Sequence, residues 1–169
     1  MLKDKLQKAL NKQLNEELYS SYAYLSMSAH FSALNLDGMA HWLRLQSQEE
    51  YGHGMKIYEY ILQRNGRVSL AQISAPAESW KTLIDLFEEV MAHEQKVSAS
   101  IDSIVELTLQ EKDYATNNFL QWFISEQVEE EATSQFILDR AKLVGDNRNG
   151  IFLLDREMAQ RVAAAGKGK

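Results

Sequence analysis

Residues that end helices are scarce in this chain. Pro76 is the single proline among 169 residues, and helix-favouring sequence lies on both sides of it. The chain also has few turn dipeptides and no alternating runs of β-branched residues. Because strands and hairpins depend on those signals, we expect an all-α fold built from long helices.

Hydrophobic periodicity and break signals predict four long helices and a short fifth one. The long helices are expected at about Lys5 to Phe31, Gly38 to Gln63, Ser79 to Leu109, and Tyr114 to Val144. Asp37 and Ser79 are the expected N-caps of the second and third helices. The fifth helix is expected at about 151–164, followed by a flexible tail at 165–169.

The connections between these helices predict how they pack. Short links join the first helix to the second and the third to the fourth, whereas residues 67–79 form a long linker without helical periodicity. Such a linker can carry the chain from one end of a bundle to the other. We therefore predict a single domain over residues 1–169, a four-helix bundle with one long crossover between helices two and three.

Composition argues against several kinds of site and partner. The net charge of −6 disfavours nucleic acid as a main partner. The chain has no cysteine, which excludes disulfides, zinc–thiolate sites, iron–sulfur clusters and thiol nucleophiles. No segment approaches the roughly 20 apolar residues that cross a membrane, and the N-terminus has no apolar run of signal-peptide type. We expect a cytoplasmic protein without a membrane or nucleic-acid partner.

Each long helix carries an apolar stripe with steps of three and four residues, which is the spacing of a core seam. Every stripe is interrupted by at least one carboxylate near the middle of its helix. The interrupting residues are Glu17 on the first helix, Glu50 and His53 on the second, Glu94 on the third, and Gln127 and Glu130 on the fourth. Since the midpoints of packed helices lie at one level, these side chains should converge inside the bundle.

A converging group of carboxylates is best explained by metal ions. A single buried Glu or His is usually satisfied by a neighbour, but four carboxylates repel one another, and burying them unpaired would cost many kcal/mol. No Lys or Arg lies on the stripes near that level. Oxygen ligands with one imidazole suit iron or manganese better than structural zinc, although Zn(II) would still compete. Two ions fit if Glu50 bridges them and His53 binds one; a purely structural bundle leaves the carboxylates unexplained.

The segment "EEYGH" on the second helix, with Glu17 before it and Glu94 after it, resembles the ferritin family, specifically the bacterial non-haem ferritins. The resemblance covers nearly the whole chain, and "QVEE" at 127–130 replaces the second E-x-x-H of related di-iron bundles. It implies a ferroxidase centre with two iron ions. The implied ligands are Glu17, Glu50 and His53 for the first ion, and Glu50, Glu94 and Glu130 for the second, with Gln127 close by.

The resemblance implies three further features. A third iron site would be formed by Glu49, Glu126 and Glu129 together with Glu130. Tyr24, which lies on the inward stripe, would hydrogen-bond near the irons and can supply an electron. In bacterioferritins a methionine after the bridging Glu binds haem; Tyr51 stands there in this chain, so we expect no haem.

The function implied is iron storage. Fe(II) would be oxidised by O2 or H2O2, and the Fe(III) would pass to a mineral inside a hollow homo-oligomer of twenty-four subunits. Two alternatives remain open. A di-iron peroxidase or oxygenase would normally bring a cysteine-ligated iron domain or a substrate cavity. A DNA-protecting mini-ferritin would build its site between subunits and tends to lack the fifth helix.

Overall fold

The computed structural model describes residues 2–163. Within that range the chain forms five α-helices and no strand. The helices are α1 (Asp4–Ala33), α2 (Asp37–Gln63), α3 (Leu83–Gln110), α4 (Tyr114–Val144) and α5 (Arg148–Met158). The predicted all-α class and the five helices are confirmed, while the predicted flexible tail at 165–169 lies outside the described residues.

The helices pack as two antiparallel pairs. α1 packs along α2, α3 packs along α4, and contacts between α1 and α3 join the pairs, while α5 packs against α2 and α4. The long crossover spans residues 64–82 and has no helix of its own. This arrangement is the predicted four-helix bundle with a crossover between α2 and α3 and a short C-terminal helix. No helix within residues 2–163 has the length and apolar character needed to cross a membrane.

The start of α3 differs from the prediction. Thr82, not Ser79, is the N-cap of this helix. The Oγ1 atom of Thr82 accepts a hydrogen bond of 3.0 Å from the Asp85 backbone N–H, and Asp85 Oδ2 accepts one of 3.1 Å from the Thr82 backbone N–H. This reciprocal pair satisfies two N–H groups, whereas a lone serine cap would satisfy one, so the helix begins at Leu83.

The starts of α2 and α5 also differ from the prediction. Asp37 is the first residue of α2 rather than its N-cap, and Leu36 occupies the cap position without a capping side chain. α5 begins three residues earlier than predicted, because Asn147 Oδ1 caps it by accepting a hydrogen bond of 3.0 Å from the Gly150 N–H. The helix ends at Met158, short of the predicted 164.

α5 is seated on the first turn of α2. Asp155 Oδ1 accepts a hydrogen bond of 2.8 Å from the Met39 backbone N–H, and so replaces the cap that Leu36 cannot supply. At Gly38 an added Cβ would lie only 1.8 Å from the Asp155 carbonyl oxygen. Glycine at position 38 therefore allows the backbones of α2 and α5 to meet, and the chain after α5 returns along α2.

The bundle core consists of two apolar clusters separated by a polar layer. The cluster at one end includes Phe31 and Phe87, and the cluster at the other end includes Leu10 and Ile101. Between them lie buried side chains that carry carboxylates, amides and an imidazole. These buried polar residues include Glu17, Gln46, Glu50, His53, Glu94, Gln127 and Glu130. The helices therefore place the interrupted part of each stripe at one level.

Candidate metal centre

Glu17, Glu50 and His53 form a compact group in the polar layer. Each offers a ligand atom, and the three atoms lie within 4.8 Å of one another. The three side chains are buried, with exposed fractions of 1%, 2% and 8%, and His53 Nδ1 lies 3.6 Å from Glu50 Oε2. Among residues 2–163 this is the one group of three potential metal ligands at that spacing. It consists of the residues expected to hold the first ion.

One carboxylate oxygen of this group lacks a hydrogen bond. Glu17 Oε2 is fully buried and accepts no hydrogen bond from any donor in the described part of the chain. A buried acceptor left in this way costs about 1–3 kcal/mol, or more when it is charged. A cation between Glu17 and His53 would satisfy that oxygen, so the residues present fit a metal ion. Hard oxygen ligands with one imidazole favour iron or manganese, with Zn(II) as a competitor.

Glu94 and Glu130 interact with this group through their charge. Burial raises the pKa of the Glu50 carboxyl well above its ordinary value, and the neighbouring Glu94 and Glu130 carboxylates raise it further. Burial, followed by Glu94, raises the pKa of Glu130 to about 7. The pKa of Glu17 is raised first by burial and then by Glu50. These carboxyls therefore retain protons at unusually high pH unless a cation neutralises them.

Glu94 and Glu130 lie outside the compact group, and two hydrogen bonds orient the Glu94 carboxylate. Tyr24 Oη donates to Glu94 Oε1, and Gln127 Nε2 donates to Glu94 Oε2 over 3.2 Å. Within residues 2–163, neither Glu94 nor Glu130 belongs to a set of three ligand atoms at 4.8 Å spacing. Gln127 and Tyr24 thus both orient Glu94.

The phenol of Tyr24 is protonated at neutral pH. Burial raises its pKa well above the ordinary value, and the Glu94 carboxylate raises it further. The side chain is 1% exposed and is packed in the apolar cluster that also contains Phe31. Tyr24 can therefore act as a fixed hydrogen-bond donor to Glu94.

Two buried glutamines at the centre were missed by the sequence analysis. Gln13 Nε2 donates a hydrogen bond of 2.9 Å to Glu17 Oε1, and Gln46 Nε2 donates over 2.6 Å to Glu130 Oε2 and over 3.4 Å to Glu50 Oε1. Each glutamine lies four residues before a predicted ligand, which places both on the same helix face. That spacing was the signal that could have identified them.

The imidazole of His53 is fixed by aromatic neighbours. Its ring lies edge-on to Trp122 at 5.2 Å and to Phe123 at 6.2 Å between ring centroids. Both aromatic residues belong to α4, so they set the position of an α2 side chain across the bundle. A ligand held in this way needs little reorganisation when an ion binds.

The residues expected to form a third site are only partly brought together. The charge of Glu49 makes a smaller contribution to raising the pKa of Glu130, after burial and Glu94. Glu126 and Glu129 lie on α4 four residues and one residue before Glu130. Within residues 2–163 these carboxylates form no group of three ligand atoms at 4.8 Å spacing, and Glu49 Oε2 is paired with Arg161 Nη2 at 2.5 Å. The third site therefore stays a prediction.

Comparisons with known proteins find relatives and similar folds along most of the chain. Residues 7–144 match the family profile described as ferritin-like domain. A bacterial non-heme ferritin of Bacteroides fragilis is 44% identical over 161 residues, covering 95% of this chain and 100% of the relative. A bacterial non-heme ferritin of Campylobacter jejuni is 41% identical over 156 residues, covering 92% of this chain and 93% of the relative. The solved structure of an open pore ferritin from Archaeoglobus fulgidus superimposes with a TM-score of 0.94 at 41% identity, covering 96% of this chain and 100% of that one.

Proposed function

The chain belongs to the ferritin family, and from this premise we propose that it stores iron after oxidising Fe(II) to Fe(III) at the buried carboxylate centre. The observation that carries the proposal is the compact group of Glu17, Glu50 and His53, in which one buried carboxylate oxygen has no hydrogen-bond donor. A proton shared between Glu17 and Glu50 satisfies that oxygen only while one of the two carboxyls is neutral, whereas a bound Fe(II) satisfies it with both ionised.

The substrate iron ions would be held by five side chains. Glu17 and His53 bind one ion, Glu94 and Glu130 bind the other, and Glu50 bridges them. Because the pKa values of Glu17, Glu50 and Glu130 are raised, these carboxyls release protons as Fe(II) binds. Anionic oxygen ligands stabilise Fe(III) more than Fe(II), so the same side chains favour the loss of an electron from each ion.

The electrons pass to O2. Two Fe(II) ions supply two electrons, and with two protons they reduce one O2 to H2O2; H2O2 can in turn accept electrons from two further Fe(II) ions. Tyr24 would supply a further electron to the oxygen species being reduced, and the proton it loses would pass to the Glu94 oxygen that accepts its hydrogen bond. Gln127 keeps Glu94 oriented through the bond to its second oxygen.

Storage requires an enclosed space, which we infer from association of many copies of this chain. Phe152 and Leu153 of α5 are 59% and 63% exposed, which suits a surface that other subunits cover. The same proposal includes a hollow shell of twenty-four subunits and a cytoplasmic location. It also includes the absence of haem at Tyr51. A third iron site at Glu49, Glu126, Glu129 and Glu130 is also part of it.

The two alternative functions have less support. A mini-ferritin would build its ligand group between subunits, but Glu17, Glu50 and His53 come together within one chain. For an oxygenase, the layers above and below the centre would need a substrate cavity. They are instead filled by the large buried side chains of the two apolar clusters.

Oxygen uptake after aerobic addition of Fe(II) to the metal-free protein tests the proposal, with particle mass measured in parallel. We expect rapid uptake by a particle much larger than a dimer. Glu50→Ala should lower the initial rate at least about 100-fold, since even residues that only support metal ligands cost 10–100-fold. Glu106→Ala, at an exposed position of α3, is the matched control and should behave as wild type. Uptake no faster than in buffer, or a particle no larger than a dimer, would contradict the proposal.

A further inference from the structure

Arg161 lies three residues beyond the end of α5 and contacts α2 beside the metal centre. Its guanidinium lies over the Trp42 ring at 4.4 Å from the ring centroid. Nη1 donates hydrogen bonds of 2.7 Å to Gln46 Oε1 and 3.3 Å to the Trp42 carbonyl oxygen. Nη2 donates over 2.5 Å to Glu49 Oε2. Arg161 thus binds Glu49, a predicted ligand of the third site. It also binds Gln46, whose amide donates to two other carboxylates of the centre.

The position of this guanidinium is determined by several independent contacts. The backbone oxygen of Arg161 lies 3.0 Å from His41 Nε2, and α5 itself is anchored by the hydrogen bond from the Met39 N–H to Asp155. The Arg161 and Glu49 side chains are 20% and 23% exposed. Exposed ion pairs often contribute nothing measurable, but a guanidinium fork that is stacked, partly buried and bonded to three acceptors is pre-organised.

The position of Arg161 opposes cation binding at Glu49. A cation shared by Glu49 and Glu130 would compete with Arg161 for the Glu49 carboxylate and would lie close to its positive charge. Gln46 links the two carboxylates, since its Oε1 accepts from the guanidinium that also donates to Glu49, and its Nε2 donates to Glu130 Oε2. Any ion between them must therefore overcome the guanidinium or displace it.

We propose that Arg161 is the counter-ion of Glu49, and that a cation entering the third site displaces it and releases the segment at 159–163 from α2. This inference rests on the third site of the proposed function. Arg161 is a positioning residue, because it acts on the bound ion through Glu49 and Gln46. It keeps the third site weak, so that an ion held there can move on.

Calorimetric titration of the metal-free protein with Zn(II) tests this proposal without iron oxidation. Arg161→Met removes the charge and retains a stem that can pack on Trp42. We expect the third Zn(II) to bind about tenfold more tightly or better in this variant, while the first two ions bind as in wild type. Arg161→Lys keeps the charge but loses the forked guanidinium. Its affinity for the third Zn(II) should lie between those of wild type and Arg161→Met. Arg140→Met is the matched control, since Arg140 pairs with Glu157 outside the centre.

The outcomes separate this inference from the proposed function. If Arg161→Met binds the third Zn(II) with unchanged or lower affinity, the role of Arg161 is overturned. If the first two ions still bind tightly, the proposed di-iron centre is not affected. A third ion that binds to both proteins, but more tightly to the variant, would support the role. If neither protein binds a third ion, the inference fails and the di-iron centre is again unaffected.

Amide hydrogen exchange supplies a second, structural measurement. Saturation of wild type with Zn(II) should increase exchange at residues 159–163, because the displaced guanidinium no longer anchors that segment to α2. In Glu49→Gln the same segment should exchange faster even without Zn(II). Exchange at 159–163 that does not respond to Zn(II) would overturn the proposed displacement.

Discussion

Gln46 Nε2 donates a hydrogen bond of 2.6 Å to Glu130 Oε2 across the interface between α2 and α4. Both side chains are buried. This bond lowers the pKa of Glu130 against the larger, opposite effects of burial and Glu94, which together leave the pKa at about 7. Gln46 therefore favours the ionised carboxylate, which is the form that binds a cation.

Replacing Gln46 by Leu should weaken metal binding at the centre by about 10–100-fold, the usual effect of removing a hydrogen bond to a ligand. The affinity can be measured at neutral pH by anaerobic titration with Fe(II). Gln121→Leu, at an exposed position of α4, is the control and should bind as wild type. Equal affinities for wild type and Gln46→Leu would show that the amide has no influence on the ligands.

Glu130 should make the stability of the metal-free protein depend on pH. Its pKa is raised to about 7 in the folded protein, whereas a glutamate in an unfolded chain titrates near pH ~4.3. Between these values the folded protein binds a proton that the unfolded chain has already lost. The contribution of Glu130 to the free energy of unfolding therefore falls as pH rises from about 4.5 to about 7.

Glu130→Gln removes this ionisation. We expect the metal-free variant to be more stable than wild type at pH 8, by up to about 3 kcal/mol, and more stable by only about 1 kcal/mol at pH 5. Thermal unfolding at both pH values measures the difference, and Glu106→Gln controls for the loss of an exposed carboxylate. A variant no more stable than wild type at pH 8 would show that Glu130 is not an unfavourable buried charge.

Gly38 and Gly52 should respond in opposite directions to an added methyl group. At Gly38 an added Cβ would overlap the Asp155 carbonyl, whereas at Gly52 nothing lies within 4 Å. Gly38→Ala should destabilise the protein by about 1–3 kcal/mol as α5 is pushed from α2. Gly52→Ala should stabilise it by up to about 1 kcal/mol through helix propensity. Thermal unfolding of the two variants measures both changes in stability. If Gly38→Ala stabilised the protein, the close contact of α5 with α2 at Gly38 would be contradicted.

The long helices and the level at which their polar residues meet could be predicted from sequence, because both follow from helical periodicity. Glu17 and Glu94 interrupt otherwise apolar stripes, and the packing of four midpoints places them at one level whichever way each helix runs. The N-cap of α3 could not be predicted as well. Thr82 prevails over Ser79 through a reciprocal bond with Asp85, and several residues near the helix start had capping side chains.

The partners of the ligands were harder to predict. Gln46 lies at helical spacing from Glu50, but an uncharged amide on an apolar stripe is a weaker sequence signal than a charged side chain. Arg161 gave no signal at all, because its contact with Glu49 depends on how α5 docks and returns the chain along α2. That contact arises from tertiary packing between residues that lie 112 positions apart.

Anomalous X-ray diffraction at the iron absorption edge, from crystals soaked anaerobically in Fe(II), tests the central claim most directly. We predict one iron peak at a bonding distance of about 2 Å from Glu17, Glu50 and His53. A second peak should lie between Glu50 and the carboxylates of Glu94 and Glu130. Iron found only at surface carboxylates, with no peak within bonding distance of Glu50 and His53, would contradict the assignment of this buried group as the metal centre.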